Sequence, residues 1–435
     1  MPPISTSTWL GSDRVLARSV ARPLSRFLHV EAAGGMVLLA ATIVALAWAN
    51  SPWSDSYSEL WSSQAGVSLA GHSLELDLRH WVNDGLMTLF FFVIGLEIKR
   101  EVVDGQLASL RAAAIPAIGA AGGMVVPAAV YLAFNAGGAG ADGWAIPMAT
   151  DVAFALGVLA LLGSRVPAAL KVVLLALAIV DDIGSIVVIA AFYASDIEPR
   201  WLLAAAGGLA LVALVRWRGV RYMPVYAVLG VAVWFATHES GVHATIAGVA
   251  LGLLTPARPL MPEVDADRVA GELSADTAVS AAEVRDISFR IRESVPVAER
   301  LQNLLHPWTS FVVVPLFALA NAGVEISSGA LADAATSPVT LGIVAGLVVG
   351  KTLGVAGAIA LGRRLGLGVL PPGVTMQHVV GMGALAGIGF TVSLFVTGLA
   401  FTSGALTDQA KLGILAASVL AAAVGAVVLR RVNAS

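Results

Sequence analysis

Residues 172–195 read VVLLALAIVDDIGSIVVIAAFYAS, and Asp181 and Asp182 are the only charged side chains between Lys171 and Asp196. An apolar stretch of this length is typical of a transmembrane helix. A charge at mid-depth in such a helix costs at least ~2.5 to 3.5 kcal/mol on insertion scales. Two adjacent carboxylates at this position therefore predict a function that outweighs the cost of burying them.

The composition of the whole chain is that of a polytopic membrane protein. Of the 435 residues, 57% are hydrophobic and 13% are charged, about half the roughly 25% typical of soluble domains. The mean hydropathy is +0.84. The 45 glycines and 19 prolines indicate interrupted, closely packed helices, because small residues let helix backbones approach each other in lipid. The absence of cysteine excludes disulfides and cysteine-ligated metals. We therefore predict an all-α membrane fold.

Apolar runs predict about twelve transmembrane helices when their lengths are compared with a hydrocarbon core about 30 Å thick. The runs start near residues 33, 80, 112, 144, 168, 201, 222, 241, 308, 338, 374 and 411. With this count the lysines and arginines concentrate on one side of the membrane, and the opposite loops hold only Arg79, Arg200 and Lys411. By the positive-inside rule, both chain termini are predicted to be cytoplasmic.

The charged segments divide the chain into parts. Residues 1–32 are predicted to form a cytoplasmic arm in which arginine recurs every four residues, as in an amphipathic helix on a membrane surface. A solvated tail or a transit peptide is the alternative. Transmembrane helices 1–8 are assigned to residues 33–256, a charged cytoplasmic loop to residues 257–305, and helices 9–12 to residues 306–431.

One extracytoplasmic loop predicts a small β-hairpin. Residues 67–76 alternate in polarity around Gly71-His72, the signal for a two-residue turn that starts with glycine. An isolated hairpin is only marginally stable, so we expect this one to pair with another element. A second copy of the chain is the candidate partner.

Asp151 and Lys351 are also alone in apolar runs, as the Asp181-Asp182 pair is. A structural ion pair explains any one of these charges, but all of them together favour a shared site. Adjacent helical residues point about 100° apart, so the two neighbouring aspartates cannot face one ligand equally. One is expected to line a water-filled path and the other to meet a partner, for which Lys351 is the buried cation. The spacing does not decide which aspartate does which.

Two spans are predicted to be broken. Residues 145–152 combine Pro147, a helix breaker, with Asp151, a good N-cap, and residues 381–393 carry a run of glycines. Ordinary kinks are the alternative for each. Paired broken spans in a transporter indicate a site at mid-membrane that faces half-helix ends. Asp151 would offset the positive N-terminal ends, and Lys351 the negative C-terminal ends.

Several motifs resemble those of the NhaA family of Na+/H+ antiporters: ATDVAFALG (149–157), DDIG (181–184), GLEIKRE (95–101), GVHAT (241–245) and LFALANAG (316–323). The resemblance runs from about residue 20 to the C-terminus. It implies inverted-topology repeats whose two discontinuous helices cross at mid-membrane. This family is among those on which the repeat rule rests, so the repeats come from the resemblance and not from the spacing.

The resemblance also implies a role for each buried charge. Asp182, with Asp181 beside it, binds the transported Na+ or Li+ and carries the proton. Asp181 pairs with Lys351, and Asp151 lies with Thr150 at the crossing of the broken helices.

A second group of residues resembles the positions that this family uses to sense pH. Glu97, Arg100 and Glu101 lie at the cytoplasmic end of the second span. His243 matches a histidine linked to the same property, although an imidazole that only packs or caps is the alternative. Asp84 matches an acidic residue of the family to which we assign no role.

The chain departs from the family pattern at Gln302-Asn303, where the resembled sequence carries Glu-His. Two titratable groups are therefore missing from the region expected to sense pH. We expect the pH range of activation to differ from the family's usual alkaline one, while transport itself is retained.

These residues together predict a secondary Na+(Li+)/H+ antiporter of the bacterial inner membrane that exports Na+ in exchange for inward H+ by alternating access. Hard cations prefer oxygen ligands, so Na+ and H+ compete for the same carboxylates. By resemblance the exchange is electrogenic and pH-regulated, and the predicted hairpin leads us to expect a homodimer. No enzymatic activity, cofactor or nucleic-acid partner is expected. The alternatives are another sodium-coupled solute carrier, a channel, or an intramembrane aspartyl protease that uses Asp151 and Asp182.

Overall fold

The computed structural model describes residues 33–69, 72–163, 166–194, 196–220, 222–259 and 280–432, which are mostly helical. The predicted N-terminal arm lies outside the described residues, as do residues 260–279 of the predicted charged loop. Arg165 and Arg221, which contribute to the predicted charge asymmetry, are outside them as well.

The first half of the chain contains a hairpin and ten α-helices among the described residues. They are α1 (Ala33–Ala49), α2 (Ser54–Ser62), β1 (Gln64–Leu69), β2 (His72–Asp77), α3 (Leu78–His80), α4 (Met87–Val103), α5 (Leu110–Asn135), α6 (Val152–Leu162), α7 (Ala168–Phe192), α8 (Pro199–Trp217), α9 (Met223–Glu239) and α10 (Thr245–Leu254). A π-helical turn at Trp81–Leu86 joins α3 to α4, and 3₁₀ segments lie at Gln106–Ala108 and Ala141–Met148.

The described residues of the second half form helices and their connections, without a strand. Its helices are α11 (Ala281–Glu293), α12 (Val297–Trp308), α13 (Val314–Asn321), α14 (Ser328–Thr336), α15 (Pro338–Val344), α16 (Lys351–Arg364), α17 (Met376–Leu385), α18 (Phe390–Ala400) and α19 (Gly404–Arg431). π-helical turns at Thr309–Val313 and Ala345–Gly350 make α12–α13 and α15–α16 continuous. The helix of the predicted ninth span thus begins at Val297, inside the segment predicted to be a loop.

The membrane prediction is confirmed at the level of a multi-helix membrane protein. Within the described residues, seven helical segments are long and apolar enough to cross a membrane, or up to nine when two bent helix pairs count as one span each. α4 and α9 have 17 residues each and α10 has 10, which is short for a span. The number of twelve spans and the inverted repeats stay predictions.

The two predicted interruptions are present. Residues 149–151 are extended between the 3₁₀ segment and α6. Residues 386–389 separate α17 from α18, whose axes differ by 48°. Each break therefore leaves two helix ends inside a largely apolar segment.

The hairpin forms, but its turn lies one residue earlier than predicted. Leu69 pairs with His72, so His72 belongs to β2 and not to the turn. The base of the hairpin explains this register. Leu78 N donates to Ser63 O at 3.1 Å, and the indole of Trp81 donates to Ala65 O at 2.8 Å. These contacts lie at the end of the hairpin opposite the turn.

The apolar side chains form two large buried clusters in the described part of the chain. One contains Phe91, Phe317 and Phe395 and joins α4, α13 and α18. The other contains Leu174 and Met382 and joins α7 to α17. Of the charged residues singled out in the sequence, Asp151, Asp181 and Lys351 make contacts at the breaks.

Candidate functional site at the crossing of the broken helices

Asp151 caps two half-helices at once. Its Oδ1 accepts a hydrogen bond from Phe154 N at 3.2 Å, as the N-cap of α6. Its Oδ2 accepts from Thr391 N at 3.1 Å and also from the Thr391 hydroxyl, in the first turn of α18. A carboxylate at a helix N-terminus satisfies unpaired N–H groups and opposes the positive end of the dipole. One buried side chain therefore stabilises both N-termini.

Backbone and hydroxyl contacts hold the two breaks together. Asp151 N donates to Ile388 O at 2.5 Å. Ser393 Oγ donates to Ile146 O at 2.6 Å. Thr150 Oγ1 lies 2.9 Å from Ala386 O. The extended residues of each break thus satisfy polar groups of the other, which is needed where no water is available.

Whereas Asp151 contacts the N-terminal ends of two half-helices, Lys351 contacts the C-terminal, negative end of a half-helix at the same breaks. Its Nζ is 2.7 Å from Asp181 Oδ2, and both side chains are fully buried. It also donates to Met148 O, the last residue of the 3₁₀ half-helix. Thr150 Oγ1 lies 2.8 Å from the same Asp181 oxygen. The cation therefore neutralises a carboxylate and the negative end of a half-helix together.

Small residues and a π-helical turn place Lys351. The turn at Ala345–Gly350 ends immediately before it, and such turns are frequent at functional sites. Gly122 of α5 and Gly354 of α16 face each other so closely that a Cβ on either would overlap the backbone of the other. A Cβ on Gly123 would lie only 3.6 Å from Lys351 Nζ. Close packing of α5 against α16 thus brings the amine to Asp181.

Asp182 differs from Asp181 in burial and in hydrogen bonding. It is half-buried, whereas Asp181 is completely buried. None of the residues that the structure describes donates a hydrogen bond to Asp182. On the Asp181 side, Oδ1 and the hydroxyl of Ser185 are buried and have no hydrogen-bond partner within the described parts of the chain. Oxygen atoms without partners therefore gather around the two aspartates.

The residues predicted to sense pH do not lie together. Gln302 of α12 bridges two of them at one end of α4: its Nε2 donates to Glu97 Oε1 at 3.0 Å, and Arg100 donates to its Oε1 at 3.1 Å. Glu101 instead accepts from Gln106 N at 2.7 Å in the following turn. This end of α4 is therefore joined to α12 through a neutral amide.

His243 lies at the other end of α4, beside Asp84. Its Nε2 is 3.5 Å from Asp84 Oδ1, and its Nδ1 is 3.1 Å from Thr245 Oγ1. His238 Nδ1 is 3.7 Å from the second Asp84 oxygen. The acid to which the sequence assigned no role thus lies between two histidines.

Several residues of these sites were missed in the sequence. Thr391 and Ser393 lie in the glycine-rich segment, and a hydroxyl residue in the first turn of a half-helix is the signal that could have indicated them. Ser185 is one helical turn after Asp181 and so shares its face. His238 is five residues before His243, a spacing that gives no such signal.

The described residues contain no group of three or more histidine, cysteine, aspartate or glutamate side chains arranged to hold a metal ion.

Comparison with known proteins identifies close relatives along nearly the whole chain. The model of the family described as Na+/H+ antiporter 1 matches residues 25–429. A protein named Na(+)/H(+) antiporter NhaA 2 from Sorangium cellulosum is 48% identical, over 98% of this chain and 94% of its own length. One named NhaA 3 from Frankia alni is 47% identical, over 96% and 90%. One named NhaA from Rhodopirellula baltica is 47% identical, over 93% and 92%.

Proposed function

Because the chain belongs to the Na+/H+ antiporter 1 family, we propose that the carboxylates at the crossing exchange Na+ for H+ across a membrane. The chain is a Na+/H+ antiporter, and hence a multi-pass bacterial membrane transporter and not an enzyme. Asp182 is the main ion ligand and proton carrier in this proposal, and Asp181 supplies a second ligand.

The unpaired state of Asp182 is the observation that carries this assignment. Lys351 neutralises Asp181, and two helix N-termini engage Asp151. Asp182 is the carboxylate of the three that keeps its oxygen atoms free of hydrogen bonds from the described residues and is partly open. A hard cation takes oxygen ligands, and a proton takes the same oxygens. Only one of the two can occupy this carboxylate at a time.

Competition at one carboxylate couples the two flows. Loss of the proton on the cytoplasmic side lets Na+, or Li+, bind Asp182 with help from Asp181 Oδ1. Rocking of the crossing then opens the site to the outside, where protons displace the ion. Exchange of more protons than sodium ions per cycle makes the process electrogenic, so the membrane potential drives Na+ export.

The charges at the two ends of α4 indicate which end faces the cytoplasm and which faces the outside in this proposal. Lys99 and Arg100 lie at the Glu97 end, so the positive-inside rule makes that end cytoplasmic and the Asp84 end external. Both chain termini are then cytoplasmic, in a bacterial inner membrane with twelve spans. The hairpin β1–β2 projects on the external side and pairs two copies in a homodimer.

Regulation by pH is proposed at the Glu97 end. Glu97 and Arg100 are held to α12 through Gln302, and Glu101 holds the adjoining turn. A change in charge here alters how α4 packs on α12. His243 is proposed to act on the opposite side through Asp84.

The proposed function is tested by replacing Asp182 with asparagine. Everted membrane vesicles that contain a pH-sensitive dye are given Na+ or Li+, and the native protein is expected to release protons and dequench the dye. Asp182→Asn keeps the shape but cannot bind a proton or neutralise a cation, so exchange should be abolished.

The matched control is Asp333→Asn, the same change at an exposed aspartate of α14. It should exchange at the native rate. Near-native exchange by Asp182→Asn, at equal amounts of protein in the membrane, would remove Asp182 from the role of ion carrier.

A further inference from the structure

Aromatic rings from four parts of the chain meet around Phe395 of α18. Its ring centroid lies 5.3 Å from that of Phe91 in α4 and 6.3 Å from that of Phe317 in α13. The His243 ring meets it edge-on at 4.9 Å and 79°. The three phenylalanines are 0–3% exposed. Phe395 is the ring that all the others contact.

This aromatic cluster lies between the ion site and the Asp84 end of α4. Phe395 is five residues after Phe390, the first residue of α18, and therefore about 7.5 Å along the helix from the crossing. Phe91 is seven residues after Asp84 and six before Glu97, so it lies about 10 Å and 9 Å along the chain axis from these two residues. His243 contacts Asp84 on one side and Phe395 on the other.

A buried ring cluster at this position blocks the passage of ions. A hydrated cation or a water chain cannot cross closely packed apolar side chains, and hydrophobic constrictions in membrane proteins close by excluding water. Asp182, by contrast, is half-buried. The described conformation is therefore closed toward the Asp84 end.

Phe395 is also tied to the ion site. Thr391, one helical turn before it, donates two hydrogen bonds to Asp151. A movement of the crossing that accompanies ion exchange carries α18 with it. The Phe395 ring then moves relative to Phe91, Phe317 and His243, which belong to other helices.

We infer that Phe395 is the external gate of the antiporter: its ring closes the path between Asp182 and the outside. The inference rests on the proposed function and its sidedness, but it concerns access and not ion binding. Phe395 acts through the packing of its ring and does not bind the ion.

Cysteine accessibility tests this gate directly, because the chain has no cysteine. Asp182→Cys provides a single thiol at the ion site. A charged, membrane-impermeant methanethiosulfonate reagent should label it in everted vesicles and fail to label it in right-side-out vesicles. Adding Phe395→Ala should make the thiol reactive from both sides, because the missing ring opens the external path.

The control Phe235→Ala removes a ring of the same size elsewhere, from the Trp201–Phe235 contact between α8 and α9 (5.6 Å). It should leave labelling one-sided. Phe395→Leu keeps much of the apolar volume, so its thiol at position 182 should stay protected from the external side, which separates loss of the ring from a general disturbance of folding. Phe91→Ala removes the ring on the other wall of the path and should also expose the thiol to the external reagent.

Unchanged one-sided labelling in well-folded Phe395→Ala and Phe91→Ala proteins would overturn the gate. So would equal labelling from both sides with Phe395 intact. Labelling does not require exchange activity, so these results are independent of the Asp182→Asn result that tests the proposed function.

Discussion

The Asp181–Lys351 pair places opposite charges 2.7 Å apart with no exposure to solvent. Removing two ions from water is costly, and their attraction offsets that cost only when the geometry is good and further hydrogen bonds are present. Thr150 lies 2.8 Å from Asp181, and Met148 O accepts from Lys351. Each charge is thus neutralised only while the other is present.

Replacing Lys351 with methionine should destabilise the protein. The change keeps the length of the side chain but leaves Asp181 buried without a cation, which costs about 3–5 kcal/mol in comparable buried pairs. Unfolding by SDS in mixed micelles, followed by the fluorescence of the 10 tryptophans, measures the free energy of unfolding.

The double variant Asp181→Asn/Lys351→Met should recover most of this loss, because no lone charge stays buried. Lys171→Met, at the half-buried first turn of α7, should change the free energy of unfolding by only about 0.5 kcal/mol. A double variant as unstable as Lys351→Met alone would contradict the ion-pair account.

Among the elements, the contact between α5 and α16 determines the position of the Lys351 amine. Gly122 and Gly354 leave no room for a Cβ between the two backbones. In lipid such close approach is a main source of helix association, because there is no hydrophobic driving force between helices. The distance between α5 and α16 is therefore sensitive to a single methyl group.

Gly354→Ala should separate these helices. Forcing a methyl group into a filled interface costs about 1–3 kcal/mol, and it should also shift Lys351 from Asp181 and weaken the apparent affinity for Na+. The SDS titration measures the first effect, and the Na+ dependence of exchange measures the second.

Gly357→Ala is the control on the same helix, since a Cβ there meets nothing within 4 Å. It should be neutral or stabilise α16 by up to about 1 kcal/mol through helix propensity. Equal behaviour of the two variants would show that the α5–α16 spacing does not matter.

Across the whole molecule, α4 is held at both ends by polar groups of other helices. Gln302 of α12 joins Glu97 and Arg100, while the loop after α9 brings His243 to Asp84. The aromatic cluster lies between these ends. A change of charge at one end of α4 therefore acts on a helix that also forms a wall of the proposed ion path.

Gln302→Glu should make the contact between α4 and α12 depend on pH. A protonated glutamic acid can donate to Glu97 as the amide does, but after losing its proton it repels Glu97 at about 3.0 Å, the native contact distance. The contact should thus be native-like at low pH and loosened at high pH. The exchange rate in proteoliposomes, measured against pH, should change its shape on the alkaline side.

Asn303→Asp adds the same charge at the exposed neighbouring position and should leave the curve close to native. If both variants give the native curve, the Gln302 bridge takes no part in setting the pH range of exchange.

Local patterns account for what could be predicted from the sequence. Apolar length indicated the membrane helices, and Pro147 and the glycines at 381–389 indicated both breaks, because hydropathy and helix interruption are properties of neighbouring residues. The hairpin turn was placed one residue late because strand register depends on contacts at its base, such as Leu78 N with Ser63 O.

The sequence by itself determined that this is a helical membrane protein with two broken helices and buried charges, because an apolar run and a breaker act through their own backbone. The spacing of the charges left open which aspartate meets Lys351; the tertiary structure decides that it is Asp181, while Asp182 accepts no hydrogen bond from the described residues. The two aspartates are adjacent in the chain and alike in chemistry. What distinguishes them is the direction of each side chain from α7, about 100° apart, because only Asp181 lies within 2.7 Å of Lys351, which the close packing of α5 against α16 positions.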